Sequence, residues 1–382
     1  MLKVPKQVDI KSAYIQDAYR TLEQSIIEMV AKRISARTAV ELSSDTVFEW
    51  QLEKLRDLRM LNLETIETLV NQTSNLTKKE LENLVVKQGY DFNVEANREL
   101  ANLTAKNYAE WTTLDQVLNQ YFDSQWLDLD NHVNQTLISR NYNFNPVYRA
   151  YEQVLNDTVA KTLVGFQTPQ QALKSSIYEM VAKGLKSNLT DKLGRPVSIE
   201  SYVRTVIKST TGTVYNDLRT ERGINEYGIV TALMSTKQAS REACSHIQGK
   251  FVLMVPTNEA PEEYQHLPSV YDYGWKTPGG CNGINCGHRW YSMLPSGSTG
   301  IPEPLPPQQA QENAKVVAKQ RQTEVSIRKA KRQLKVAESL NDAQSIAHFK
   351  KLIRNRQGAL RQLIDDNSAL LNRDYSREQI YD

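Results

Sequence analysis

A chain of 382 residues with 40% hydrophobic content is long enough for two or three domains that each bury a core, which excludes disorder as a description of the whole. A net charge of +3 names no partner, and three cysteines in a chain of this length exclude a disulfide-rich secreted scaffold and point to a reducing setting. The opening MLKVPKQVDIKSAYIQDAYR has charges where a signal peptide needs a continuous apolar stretch, and no segment approaches the roughly 20 apolar residues of a membrane helix, so the expectation is a soluble protein made in a cytoplasm, without a membrane partner.

In chain order, Tyr14, Ala18, Leu22, Ile26, Met29 and Val30 recur at spacings of three and four and predict one apolar stripe of a long helix over 12–38. Three capping-box patterns follow: Thr46-x-x-Glu49, Thr77-x-x-Glu80 and Thr113-x-x-Gln116, each just ahead of an apolar run, and Gly89 fits a C-cap for the helix opened at Thr77. The Asn-rich stretch before Pro146 predicts a boundary near 140–146, followed by a helix over 147–164. Thr168-Pro169-Gln170-Gln171 combines an N-cap, a proline at N1 and a returning glutamine, and starts a helix ending at Lys183-Gly184. Asp191, Gly194 and Pro196 supply turn chemistry, and Ser198 caps a helix through Tyr202, Val206, Thr210 and Val214. The run from Ile229 to Ser235 alternates as a strand, and Phe251 to Val255 is a second strand stopped by Pro256.

The stretch from Arg241 to Trp290 holds all three cysteines and three of the five histidines, so metal or thiol chemistry is confined to it. Between Val255 and Cys281 runs a loop too long to stand without pins, since structureless loops above about 12–15 residues are uncommon. Cys244-Ser-His246 and Cys286-Gly-His288 offer those pins: in extended backbone, residues i and i+2 face the same side, and two such arms make a Cys2His2 set for a structural zinc. Cys281 is the alternative ligand, and the competing reading has the thiols as small core residues and the histidines bonded to backbone carbonyls. A nucleophilic Cys286 would need His246 as its base, because i, i+2 neighbours do not ordinarily hydrogen-bond. Gly279, Gly280 and Gly283 fit tight turning beside Cys281 better than a phosphate cradle, which would need a strand before and a helix after.

Ser240-Arg241-x-x-Cys244-Ser-His246-x-Gln248-Gly249-Lys250, then Tyr273-Gly274, Gly279-Gly280 and Gly283-Ile284-Asn285-Cys286-Gly287-His288-Arg289-Trp290-Tyr291, together with the upstream GRPVSIESYVRTVIKSTTGTVYNDLR, resembles the minor capsid proteins of tailed phages of Gram-positive hosts, relatives of the phage Mu F-like head-morphogenesis proteins. The specific motifs lie within 190–291. One departure is Gly287, where the family often carries a basic residue; here Arg289 follows instead. The resemblance implies a structural virion component at the portal vertex of the head, acting in head assembly, DNA packaging or DNA delivery. Its implied partners are the portal protein and the major capsid or scaffold protein.

Beyond the proline-rich IPEPLPP, residues 311–340 and 343–371 carry helical periodicity, from Val316, Val317, Ile327, Leu334 and Ala337 to Ile346, Phe349, Leu352, Ile353, Leu360, Leu363 and Ile364. Asn341-Asp342 between them predicts the turn of an antiparallel hairpin or coiled-coil arm. Residues 311–373 hold 14 Lys/Arg against six Asp/Glu, about +8, which leaves about −5 for the remainder. Lys329, Arg332, Lys335, Lys350, Lys351, Arg354 and Arg356 are the candidate contacts to packaged double-stranded DNA, through phosphates and without sequence readout, or to an acidic partner; a merely solvated helix face is the plain alternative.

The expectation is a mainly α protein with a small α+β core domain: helical region 1–145, core 146–298, proline-rich linker 299–310 and basic helical tail 311–382. Its function is that of a structural, non-enzymatic head protein. The alternatives are a Cys/His-dependent thiol hydrolase or transferase carried in the virion and, more weakly, a DNA-binding protein of the host cytoplasm.

Overall fold

Helix-forming sequence dominates, and apolar stripes decide which face of each helix turns inward. The computed structural model describes residues 6–58, 63–165, 167–191, 193–283, 286–295 and 303–380. The first half is α1 (Lys6–Ser35), α2 (Val47–Leu58), α3 (Leu63–Glu82), α4 (Gln88–Thr104), α5 (Leu114–Leu129), α6 (Gln135–Ile138), α7 (Pro146–Val164) and α8 (Pro169–Lys183). There follow β1 (Lys186–Thr190), β2 (Pro196–Ser198), α9 (Ile199–Gly212), α10 (Leu218–Tyr227), β3 (Thr231–Met234), α11 (Glu242–Ser245), β4 (Phe251–Leu253) and β5 (Trp290–Ser292). The chain closes with α12 (Pro307–Ser339) and α13 (Ala343–Asp365). The class is as expected: mainly α, with two small antiparallel sheets. Among the described residues, no helix is long and apolar enough to cross a membrane.

One core runs from Val8 on α1 through the helices up to Leu218 and on to Val336, Ala337 and Phe349 of the last two helices. The stripe of α1 lies one residue later than the spacing suggested at its start: Ile15 and Tyr19 are buried, whereas Tyr14 is 47% exposed. Each fully buried Ile of this stripe contributes roughly 1.5–3 kcal/mol.

The caps divide. Thr168 and Gln171 form the reciprocal box, with the Gln171 amide donating to Thr168 Oγ1 at 3.3 Å and the Thr168 amide to Gln171 Oε1 at 3.1 Å. Ser198 caps α9 by accepting from the Ser201 amide, and Asn145 caps α7 with Pro146 at its first position. The other three boxes do not form. Thr46 precedes α2, but its hydroxyl turns back to the Glu41 carbonyl and Ser43; Thr113 ends the preceding turn with no side-chain cap. Thr77 lies inside α3, its hydroxyl donating to the Thr73 carbonyl at 2.8 Å, because the apolar face of α3 continues straight through it. Gly89 is likewise no C-cap: it is buried in the first turn of α4, where a Cβ would meet Val214 Cγ1 at 2.7 Å, so glycine permits a close helix crossing there.

Three π-helical turns, Asn83–Lys87, Asp130–Asn134 and Thr213–Asp217, interrupt the helices and join them. The Tyr215 hydroxyl of the third donates to the Leu84 carbonyl of the first at 2.8 Å, and the Tyr19 hydroxyl donates to Asn134 of the second at 3.2 Å. Such turns expose backbone groups that need outside partners.

The Asp191–Gly194 turn closes the β1–β2 hairpin, with the Asp191 amide donating to the Arg195 carbonyl at 2.9 Å. The second sheet has β3 at its centre, with Thr231 opposite Leu253 on β4 and Met234 opposite Trp290 on β5. All four residues of β3 are buried, so both faces of its alternating pattern are apolar in environment. Ala232, Met234, Cys244, Ile247, Val252, Val270, Cys281 and Trp290 form a separate small core on this sheet. The strand β5 was not foreseen, since three residues are too few to show a period.

The helices α12 and α13 form the antiparallel hairpin, turned at Asn341 (φ 55°) and capped by Asp342, which accepts from the Ser345 amide at 3.3 Å. The second helix ends at Asp365 rather than 371. This hairpin is not held off by its proline-rich approach. The Ser240 amide donates to the Ala310 carbonyl, and Arg332 inserts between Glu23 of α1 and Glu200 of α9 at 3.3 and 3.2 Å. Residues 299–302 of the expected linker lie outside the described residues.

Candidate functional site

The second sheet sets the geometry of the sulfur-containing stretch. Ser235 brackets Arg289, its amide donating to the Arg289 carbonyl and its hydroxyl accepting from the Arg289 amide, both at 2.9 Å, and this places His288 just ahead of β5. After β3 the chain turns into α11, a single helical turn rather than extended backbone. Residues i and i+2 then lie about 200° apart around the axis. Cys244 accordingly points into the small core, while His246 is exposed and stacks on Tyr273 with ring centroids 6.4 Å apart.

Cys244, Cys286 and His288 converge, their ligand atoms all within 4.8 Å of one another. Cys244 Sγ lies 3.8 Å from Cys286 Sγ, and Cys286 Sγ lies 3.6 Å from His288 Nδ1. The i, i+2 pair therefore does make contact, contrary to the sequence expectation, and the Cys286 amide is bonded to the Gly283 carbonyl at 2.8 Å. His246 is not the partner of Cys286. The Cys244 thiol facing the Cys286 sulfur draws the Cys286 thiol well below its ordinary value, against burial, and its own is pushed up.

The far side of the imidazole is held by Gln248. Its Oε1 accepts from the Lys237 amide at 3.0 Å and lies 3.2 Å from His288 Nε2. An oxygen already accepting from a backbone N–H is assigned as the carbonyl end of the amide, so Nε2 of His288 carries the hydrogen and the Nδ1 lone pair faces the sulfurs. Gln248 is fully buried, and its Nε2 makes no hydrogen bond. Sequence reasoning passed over Gln248 as a site residue; a lone polar side chain between Ile247 and Gly249 gives only a weak signal. The space a side chain at Gly287 would enter is taken by Lys237, whose Nζ lies 2.6 Å from the position of that Cβ, so a basic group reaches this place from another element.

Cys281 stands apart. It is buried, its thiol donates to the Val270 carbonyl at 3.2 Å, and burial pushes it up to about 12. It is one of several pins of the long loop. The Cys281 amide donates to the Tyr273 carbonyl at 3.0 Å, Leu253 bridges to Ser269, and Trp275 meets Trp290 edge-on at 5.1 Å. Gly280 and Gly283 are the tight turns expected beside it: a Cβ at either would run into the carbonyl oxygen of Gly274 or Thr277. The loop is also fastened to the third π-turn, where Asp217 accepts from Asn282 at 3.0 Å and pairs with Lys276 at 3.1 Å.

The basic candidates of the tail spread over different surroundings. Arg332 is buried between Glu23 and Glu200, Arg356 donates to the Ser326 carbonyl, and Lys335 pairs with Glu28 at 3.6 Å. Lys329, Lys350, Lys351 and Arg354 are exposed, with Lys350 3.6 Å from Glu338.

The chain is 33% identical over 370 residues to a structural protein of Lactococcus phage LL-H, covering 96% of this chain and 98% of that protein. A structural protein of Lactococcus phage mv4 is 33% identical over 113 residues, 30% of this chain and 91% of that protein. The chain is thus a structural protein of bacteriophage type, and a component of the virion. It belongs to the family described as phage minor capsid protein 2, which matches residues 4–365. No solved structure matches it.

Proposed function

We propose that this minor capsid protein is built into the head at the portal vertex and docks there through the groove between α12 and α13, onto an acidic helical segment of the portal or an adjoining head protein. The observation that supports this reading is the make-up of the groove, a cavity of about 650 Å³ lined by the apolar Leu334, Ile353 and Ile380 and by four cations, Lys331, Lys335, Lys350 and Arg354, against one carboxylate, Glu338, 3.6 Å from Lys350. An amphipathic acidic helix uses both features, laying its apolar face on the apolar lining and its carboxylates on the cations. Duplex DNA uses only the cations, since phosphate neutralisation needs no apolar lining. The role is structural, in head assembly.

The test is a charge reversal on exposed lining positions, Lys350→Glu with Arg354→Glu, scored by co-purification with portal-containing particles. Loss of incorporation with unchanged folding is the expected result. Normal incorporation combined with a loss of salt-dependent duplex binding would overturn the protein-docking reading in favour of packaged DNA.

A further inference from the structure

The geometry points to a zinc site made by Cys244 Sγ, Cys286 Sγ and His288 Nδ1, with Gln248 as the residue that positions the imidazole; it goes beyond the docking role and does not depend on it. Zinc binds sulfur at about 2.3 Å and imidazole nitrogen at about 2.0–2.1 Å in a tetrahedral arrangement, which sets two sulfurs about 3.8 Å apart and a sulfur and a nitrogen about 3.5 Å apart. The Cys244–Cys286 separation of 3.8 Å and the Cys286–His288 separation of 3.6 Å are those edges.

The donor set selects the metal. Two thiolates and an imidazole favour zinc over the hard cations, and two thiolates balance its charge. Zinc binds both sulfurs as thiolates, so each thiol gives up its hydrogen to solvent as a proton when the ion enters.

The surroundings are those of a ligand site rather than of a chance contact of thiols. A ligating histidine needs its second nitrogen to donate to a fixed acceptor, so that the first offers its lone pair. Gln248 Oε1 is such an acceptor, fixed in turn by the Lys237 amide, and the whole Gln248 side chain is buried. No fourth His, Cys, Asp or Glu joins the cluster among the described residues. Cys286 also lines a cavity of about 280 Å³ with Lys208, Thr213, Asp217, Lys276 and Gly283, from which solvent completes the fourth vertex.

The consequence is mechanical. Cys244 lies on the turn between β3 and β4, and Cys286 and His288 on the segment entering β5, so the ion ties the stretch before β4 to the chain that returns from the long loop. The set differs from the Cys2His2 arrangement expected from sequence in that His246 is outside it, and Cys281 is not a ligand.

The experiment is elemental analysis and cobalt exchange on the full-length protein, purified under reducing conditions without chelator. About one equivalent of zinc is expected, and the cobalt form should show strong visible bands of a tetrahedral site and charge transfer from two thiolates. Cys286→Ser and His288→Ala should lose the metal, while Cys281→Ser and His246→Ala keep it. Gln248→Ala should weaken zinc about 10–100-fold, and Gln248→Glu, which retains an acceptor, should restore it. The proposal is overturned if the wild-type protein carries no zinc and develops no thiolate–cobalt band, or if Cys281→Ser removes the metal while its circular dichroism is unchanged. Since the wild-type cobalt spectrum counts thiolates by itself, a ligand variant that fails to fold leaves the proposal open to refutation.

Discussion

Replacing Arg332 by Met tests what fastens the C-terminal hairpin to the rest of the fold. Arg332 is 6% exposed and lies 3.3 Å from Glu23, itself 2% exposed, and 3.2 Å from Glu200. Glu200 keeps Arg20 and Arg328, both at 3.0 Å, so the carboxylate that loses its ion-pair partner is that of Glu23, which keeps the hydrogen bond from the Leu185 amide at 2.8 Å and the pull of Lys186. Removing one partner of a buried pair costs about 3–5 kcal/mol. With about 2.1 cal/mol/K of unfolding entropy per residue over 382 residues, that is a fall of about 4–6 °C in Tm. Adding Glu23→Gln should return most of the loss, because an amide retains the Leu185 contact and needs no counter-ion.

The pH dependence has a definite sign. Burial raises the Glu23 carboxyl above its ordinary value, against the pull of Arg332, and without Arg332 it rises further. A raised acid is penalised only while it is forced to stay ionised, so the deficit of Arg332→Met should shrink as pH falls from 7 to 5 and the carboxyl takes a proton. Glu200 behaves oppositely: burial works to raise it, but Arg20, Arg332 and Arg328 outweigh burial and hold it below its ordinary value. Its contribution is therefore present above the unfolded value of about 4.3 and is lost only as pH falls through the depressed folded value, so it survives at pH 5. Urea denaturation at the two pH values is the assay. A loss under about 1 kcal/mol, or one that Glu23→Gln does not relieve, would refute the reasoning.

Thr168→Ala should cost about 1 kcal/mol by removing a reciprocal cap, whereas Thr113→Ala should fall within about 0.5 kcal/mol of the wild type, since its hydroxyl caps nothing; denaturation midpoints decide between them. Tyr215→Phe should cost about 0.5–1.5 kcal/mol, because it removes a buried hydrogen bond to the Leu84 carbonyl at the first π-turn, and it should speed amide hydrogen exchange at Asn83–Lys87 selectively.

Much of the architecture was legible because it is local. Proline at a first helical position with a cap before it, as at Thr168-Pro169, has the same meaning in any fold. The apolar periods of 311–371 likewise announced a hairpin whose turn at Asn341-Asp342 is where it was expected. The false caps fail for different reasons: Thr77-x-x-Glu80 has the letters of a helix start, but its neighbours bury on one continuous stripe and packing overrides the cap, whereas Thr46 stands ahead of its helix with its hydroxyl bonded back to Glu41 and Ser43, and Thr113 makes no side-chain cap. Gly89 was misjudged because the need for glycine arises from Val214, 125 residues away in the chain.

That the chain is mainly helical, that its sulfur and imidazole chemistry is confined to 241–290, and that its tail is basic all follow from period or composition alone. Which of those groups meet depends on packing between distant parts of the chain. One turn of helix at α11 sends His246 outward and Cys244 inward, and the pairing of Ser235 with Arg289 brings His288 to Cys286 and Gln248. Packing likewise draws Arg332 out of the basic face and into a buried pair with Glu23. Those outcomes depend on contacts between residues far apart in sequence, and no local pattern carries them.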